Sequence, residues 1–282
     1  MRARHEQDRR SFLRQAGAAT LAARLASGAE KPVLAENNKG HYRFLRGIAP
    51  YSSGAVAMEG YQVVHVTLVP PPPYQAGFSA LDRHLKRELR PSQALCGIEL
   101  RSPRPFTFEG FQRFNQAYLE QLRSRGILMG ELNPVARTNV APELDPPPEV
   151  ALYGFSYAAS GAAPVSTFVV AGAGELRGDR LDAGEIVRRG DVSPDGLREK
   201  AEQVLRWMDQ RIEGLGASWP QVTAVEVYTV HNIFPLVRSL LLPRLGPAKI
   251  HGLRWHFARP PIQELEFEMD VRGCARELVL RT

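Results

Sequence analysis

Apolar positions recur along the chain in two alternating rhythms. Tyr61 to Val69 is β-branched and alternates, the period of a strand, and Pro70 to Pro73 end it because proline donates no ladder hydrogen bond. Phe78, Leu81, Leu85 and Leu89 then fall three and four residues apart, the spacing of one amphipathic helix face. Residues 94–101 predict a second strand. Phe108, Phe111, Phe114, Tyr118 and Leu122 predict a second helix, and short strands follow near 135–141 and 150–158, separated by Pro146 to Pro148.

The same order returns after Ser160-Gly161-Ala162-Ala163-Pro164. Val165 to Ala171 reads as a strand. Ser193-Pro194-Asp195 opens a long helix, with proline in the first turn where its missing N–H costs nothing, and that helix buries Leu197, Ala201, Val204, Leu205, Met208 and Ile212. Val222 to Val230 is a strand, Phe234, Val237 and Leu241 mark a shorter helix stopped near Pro243, and 250–258 and 264–272 are strands. In the last, Leu265, Phe267, Met269 and Val271 alternate with Glu264, Glu266, Glu268 and Asp270. The pattern predicts an α/β (α+β) protein of two β-α-β-α-β-β domains, residues 41–160 and 161–282, behind a segment 1–40. A sheet with helices on one face leaves the other bare, so the two sheets are expected to pack together with the helices outside.

Composition narrows the function classes. A length of 282 residues suits two domains, and a hydrophobic content of 44% suits ordinary cores. No apolar run is long enough to span a bilayer. The formal net charge is +6, and residues 1–30 supply half of it, with six arginines against three acids. The remainder is dispersed among acidic side chains, which is not a nucleic-acid footprint. Cys96 and Cys274 lie in different halves without metal-ligand spacing, so no metal or cofactor is expected. Arg9-Arg10-Ser11-Phe12-Leu13 before an Ala-rich stretch resembles a twin-arginine export signal, which implies a periplasmic protein. Arg24 interrupts the apolar segment, and a short amphipathic surface helix is the other reading.

Several motifs resemble the Rid/YjgF family of reactive-intermediate deaminases. In the second half these are Thr167-Phe168-Val169-Val170-Ala171-Gly172, Ala201-Glu202-Gln203-Val204-Leu205, Gly214-Leu215-Gly216-Ala217-Ser218 and Leu265-Glu266-Phe267-Glu268-Met269. In the first half, Phe114-Asn115-Gln116-Ala117-Tyr118 and Pro134-Val135-Ala136-Arg137-Thr138-Asn139-Val140 are similar to the family's helix and arginine-bearing strand. Two fused copies are more distantly similar to the chorismatases. The resemblance implies self-association into a trimer or pseudo-trimer. It also implies clefts between domains, where an arginine clamps a small carboxylate and a terminal-strand glutamate positions water against an imine or enamine carbon.

On that reading Arg137 anchors the carboxylate through two parallel donors, Asn115 orients it, Thr138 adds a polar contact, and Glu266 positions water. The acids of the last strand have two readings, a solvated face or a strip meeting Arg254, Arg259 or Arg137 across an interface. The first half carries Arg137 and Asn115 but lacks the glutamate; the second carries Glu266 with only Arg254 or Arg259 near the arginine position. A composite cleft is therefore expected. The chemistry implied is cofactor-independent deamination of a small imine or enamine carboxylate. A chorismatase-like reaction on an enol-pyruvyl acid and non-catalytic binding of a small acid are the alternatives.

Overall fold

The computed structural model describes residues 34–282 apart from positions 49, 162 and 179; the twin-arginine segment lies outside the described residues. Three short strands precede the first predicted one: β1 (Ala35–Asn37), β2 (Tyr42–Leu45) and β3 (Gly54–Ala57). Part of the segment 1–40, set ahead of the two expected domains, is therefore strand. The first-half elements follow as predicted: β4 (Tyr61–Val69), helix α1 (Tyr74–Arg87), β5 (Leu95–Arg101), α2 (Phe108–Ser124), β6 (Ala136–Pro142) and β7 (Ala151–Ser160). Leu89, counted on the face of α1, lies past its end, exposed and at φ 54°. Thr107 caps α2 by accepting the Gly110 N–H at 3.0 Å.

The second half supplies β8 (Phe168–Gly174), α3 (Pro194–Gly214), β9 (Ala224–Tyr228), β10 (Arg254–His256), β11 (Ala258–Arg259), β12 (Glu268–Gly273) and β13 (Arg276–Arg281). Two predicted elements differ. The strand expected over 250–258 is a helical turn, Gly246–His251, followed by two short strands that serve different sheets, β10 pairing with β9 and β11 with β6. The last predicted strand begins only at Glu268, because Glu264 turns the chain at φ 73°. The helix from Phe234 runs on through Pro243 to Leu245, with a π-helical stretch at Val237–Leu241; the proline heads a new turn, where its missing N–H is tolerated.

The strands form a seven-stranded sheet, β1-β2-β3-β8-β12-β9-β10, and a six-stranded sheet, β11-β6-β5-β7-β4-β13. Neither draws on one half of the sequence alone. Strands β1 to β3 join the second-half sheet through β3 and β8, while β11 and β13 return to the edges of the first-half sheet. Helices α1 and α2 cover the outer face of the six-stranded sheet, burying Phe78, Leu81, Tyr118 and Leu122 against Val66, Leu68 and Phe155. Helix α3 covers the seven-stranded sheet with the predicted apolar set, packed on Val170, Phe267, Met269 and Val271. Burial of such side chains, worth ~1.5–3 kcal/mol each, holds both outer layers. The mixed α+β fold with helices outside two packed sheets is the expected one.

The space between the sheets is apolar at one end, around Tyr42, Phe44, Ala158 and Cys96. At the other end it is ionic. Arg272 reaches Glu226 at 2.9 Å, Glu277 at 2.9 Å and Glu99 at 3.8 Å, while Arg101 approaches Glu99 from the opposite side at 3.8 Å. Thr138 and Tyr228 donate to the same Asp270 oxygen at 2.8 and 2.9 Å. Burial, with Glu99 and Glu226 nearby, lifts the Asp270 carboxyl to about 7. Replacing Arg272 with Met leaves three carboxylates without their shared cation. The expected loss is ~3–5 kcal/mol of unfolding free energy in urea at neutral pH. Arg272 lowers the pKa of Glu226 and Glu277, so without it both bind protons more readily in the fold than in the parent, and the loss should shrink as pH falls and grow as it rises. A loss that does not vary with pH would contradict this account.

Candidate active site

Strand β6 carries Arg137 opposite Ile98 of β5, and α2 crosses above it. The helix repeat that buries Phe111, Phe114 and Tyr118 also turns Asn115 inward. Asn115 Oδ1 accepts from Arg137 Nη2 at 2.7 Å. The guanidinium carbon lies 4.7 Å from the ring centres of Tyr51 and Tyr118, 5.2 Å from Phe111 and 5.7 Å from Phe114, within cation–π range. Arg137 is 3% exposed, and its Nη1 has no hydrogen-bond partner. Among the described residues no carboxylate forms an ion pair with it. The Tyr74 hydroxyl is also buried without a partner, and burial pushes the Tyr118 phenol up to about 12, against Arg137 and a hydrogen bond to Asn133. Desolvation lowers the Arg137 pKa, and the surrounding tyrosines and Glu268 oppose that shift.

Arg137 lines a cleft whose other wall belongs to β8, α3 and β12. Glu268, the first residue of β12, closes its floor at 4% exposure. Its carboxyl is held well above the usual carboxylate range, first by burial and then by the charges of Asp270 and Glu175, against the pull of Arg211 and Arg137. Gly172 makes room for it: a Cβ there would lie 2.2 Å from Glu268 Oε1. Arg211, from α3, donates Nη1 to the Ala171 and Gly172 carbonyls at 2.9 and 3.2 Å and also faces the cleft. Leu176, Trp207, Ile262 and Leu265 supply apolar lining. The cleft thus pairs a buried cation with a buried carboxyl whose pKa is raised, an arrangement that can hold a small anion and exchange a proton with it.

Of the residues singled out from sequence, Arg137 and Asn115 come together. Thr138 points between the sheets to Asp270. Glu266 stands outside the cleft, 2.7 Å from His231 and 3.9 Å from Arg259. The resemblance of the terminal strand points to Glu266; the paired strand begins two residues later, and Glu268 is the acid of that strip that lines the cleft. Arg254 is engaged by Glu226 at 2.9 Å and Glu277 at 3.7 Å, and Arg259 by Glu143 at 2.7 Å. Both are committed to ion pairs away from Arg137. Sequence reasoning missed Tyr51, Arg211 and the role of Glu268; only Glu268 left a signal, as one of four acids in the strip.

Fold and site together define an α+β protein with a cleft that brings a buried guanidinium and a buried carboxyl of raised pKa together. The chain belongs to the family described as 2-aminomuconate deaminase CnbZ, which matches residues 34–278. It is 41% identical over 244 residues to the 2-amino-5-chloromuconate deaminase of Comamonas testosteroni, covering 86% of this chain and 96% of that protein. Among solved structures, a chorismatase crystal structure aligns over 86% of this chain and 80% of its own, with a TM-score of 0.47 and 13% identity.

The contact between Gly172 and Glu268 can be tested directly. Gly172→Ala should keep the fold, with a melting temperature within a few degrees of the parent, because the atom in the way ends a flexible side chain. A crystal structure of the variant should show the Glu268 carboxyl turned out of its place. An unmoved carboxyl over a shifted β8 would contradict the packing described.

Proposed function

We propose that this protein deaminates a 2-aminomuconate-type substrate, an unsaturated dicarboxylate bearing an enamine nitrogen, by hydrolysis that uses only side chains and water. The observation that carries the reading is the buried Arg137 guanidinium, whose Nη1 is unpartnered and which has no carboxylate of its own chain among the described residues. An unpaired buried charge costs several kcal/mol. A substrate carboxylate would supply the missing counterion in a partly dry site, where the bidentate pair is strong. Membership of a deaminase family and the name of the relative support the choice of reaction.

The chemistry follows from the two groups. Arg137, held by Asn115 and the aromatic rings, fixes one carboxylate. Arg211 adds positive potential for a second. Glu268, protonated, gives its proton to a carbon of the conjugated enamine, turning C=C–NH2 into C=NH2+. The carboxylate so formed accepts a proton from water as the water oxygen attacks the iminium carbon, the one that bears the nitrogen. The resulting carbinolamine expels ammonia, its nitrogen taking up the proton, and leaves a 2-oxo dicarboxylate. Substrate and water in, oxo acid and ammonia out, the atoms balance and Glu268 returns to its starting state.

The test is ammonia release from 2-aminomuconate by purified protein, with chorismate run alongside. Ammonia without pyruvate is expected; pyruvate from chorismate, or binding without turnover, would overturn the reading. Arg137→Lys should lower kcat/KM ~100-fold, since an ammonium cannot reproduce the two-pronged geometry. Glu268→Gln should keep binding and lower kcat ~10²–10⁴-fold. Because the Glu268 pKa is raised, its proton is present below that pKa and lost above it. Activity should therefore decline as pH rises through it, and residual Glu268→Gln activity should lack that limb. Parent-like kinetics in both variants would remove these residues from the mechanism.

A further inference from the structure

Behind the cleft lies an ion pair that the proposed chemistry does not touch. Glu175 and Lys200 are both 0% exposed, with Nζ 3.1 Å from Oε1. Glu175 immediately follows β8. Lys200 stands on the apolar face of α3 between Leu197 and Ala201, where the helix periodicity calls for a hydrophobic side chain. The Glu175 carboxylate also accepts two backbone N–H groups, from Glu266 at 2.7 Å and Phe267 at 3.1 Å, the two residues that lead into Glu268. Lys200 donates in turn to the Val187 carbonyl at 2.8 Å, and the Val187 N–H bonds the Glu175 carbonyl at 2.9 Å.

Stability alone does not account for this arrangement. A buried ion pair is commonly no more stable than apolar side chains of the same volume, and every neighbour on this face of α3 is apolar. What the pair does uniquely is tie the end of β8, which carries Gly172, to the turn that delivers Glu268. Without Glu175 the buried Phe267 N–H and the half-buried Glu266 N–H would lose their acceptor.

We propose that Glu175, held in place by Lys200, is a positioning residue that fixes the turn into β12 so that the Glu268 carboxyl sits over Gly172 and faces the Arg137 cleft. Its catalytic consequence rests on the deaminase reading; its geometric content does not. The Glu175 charge also belongs to the set that raises the Glu268 pKa. Geometry and charge therefore act in one direction: loosening or neutralising Glu175 lets Glu268 ionise more readily.

Single substitutions strand a buried charge and can unfold the chain, so the test uses two double variants. Glu175→Gln with Lys200→Met keeps a side-chain acceptor for the turn and removes both charges. Glu175→Met with Lys200→Met removes the acceptor as well. Three readouts are taken on the full chain: the Glu268 titration midpoint by carboxyl 13C NMR, assigned with Glu268→Gln; affinity for muconate, a dicarboxylate with no amine to lose; and kcat. The Met/Met variant should melt near the parent and bind muconate within about threefold. Its Glu268 midpoint should fall by about one pH unit, and its kcat by at least about tenfold. The Gln/Met variant should recover part of that kcat. An unchanged midpoint in both variants would overturn the proposal. So would muconate affinity and kcat falling together in step with melting temperature, which is all a merely structural pair would produce. A shifted midpoint in a protein whose parent releases no ammonia would uphold the positioning role and refute the deaminase reading instead.

Discussion

A guanidinium removed from water needs compensation, and the rest of the cleft is organised by how Arg137 obtains it. Its own chain supplies one amide oxygen and a surround of four aromatic rings, but no ion-paired carboxylate among the described residues. The rings and Asn115 come from a single helix face and from Tyr51, so the same apolar repeat that packs α2 onto the sheet also builds the socket. The result is a cation fixed in direction, with one nitrogen unsatisfied. Placing Glu268 in the same cleft as an ionised group would neutralise that cation. The site opposes this by burying the carboxyl and surrounding it with other acids, which holds its pKa well above the usual carboxylate range.

That shift depends in part on the layer between the sheets, through Asp270. Glu268, Asp270 and Arg272 belong to one short strand, buried on both faces. Asp270 is bound by Thr138 and Tyr228, and Arg272 by three carboxylates, so the strand that carries the acid is held by its ionic face as well as by Phe267, Met269 and Val271 behind it. Two neighbouring residues of β6 divide the work: Arg137 serves the cleft and Thr138 the inter-sheet network. A change in the network is thereby transmitted to the cleft through β6 and β12 alike.

Much of this was legible in the chain. The strand and helix periods placed α1, α2, α3 and the main strands, and the arginine-bearing strand with its helix asparagine led to two residues that do meet. The rest was not legible, for particular reasons. Residues 35–57 hold no long alternating run, so three short strands that complete the second-half sheet were invisible. Glu264 at positive φ delays the last strand to Glu268, and period-two alternation puts Glu266 and Glu268 on the same face, so the sequence pattern could not say which of the two enters the cleft. Lys200 was hidden because a buried lysine at a core position carries no local mark; only its partner, 25 residues earlier, explains it. Arg254 and Arg259 were candidates by position, and their acids, Glu226 and Glu143, come from strands that only the fold brings near.

On the proposed function, the unpartnered Nη1 of Arg137 receives an anion brought by the substrate. A crystal structure with muconate tests it most directly. One ligand carboxylate should accept from Arg137 Nη1, with the conjugated chain over Glu268 and the Asn115 contact retained. Muconate bound elsewhere, or in the cleft without touching Arg137, would contradict the claim.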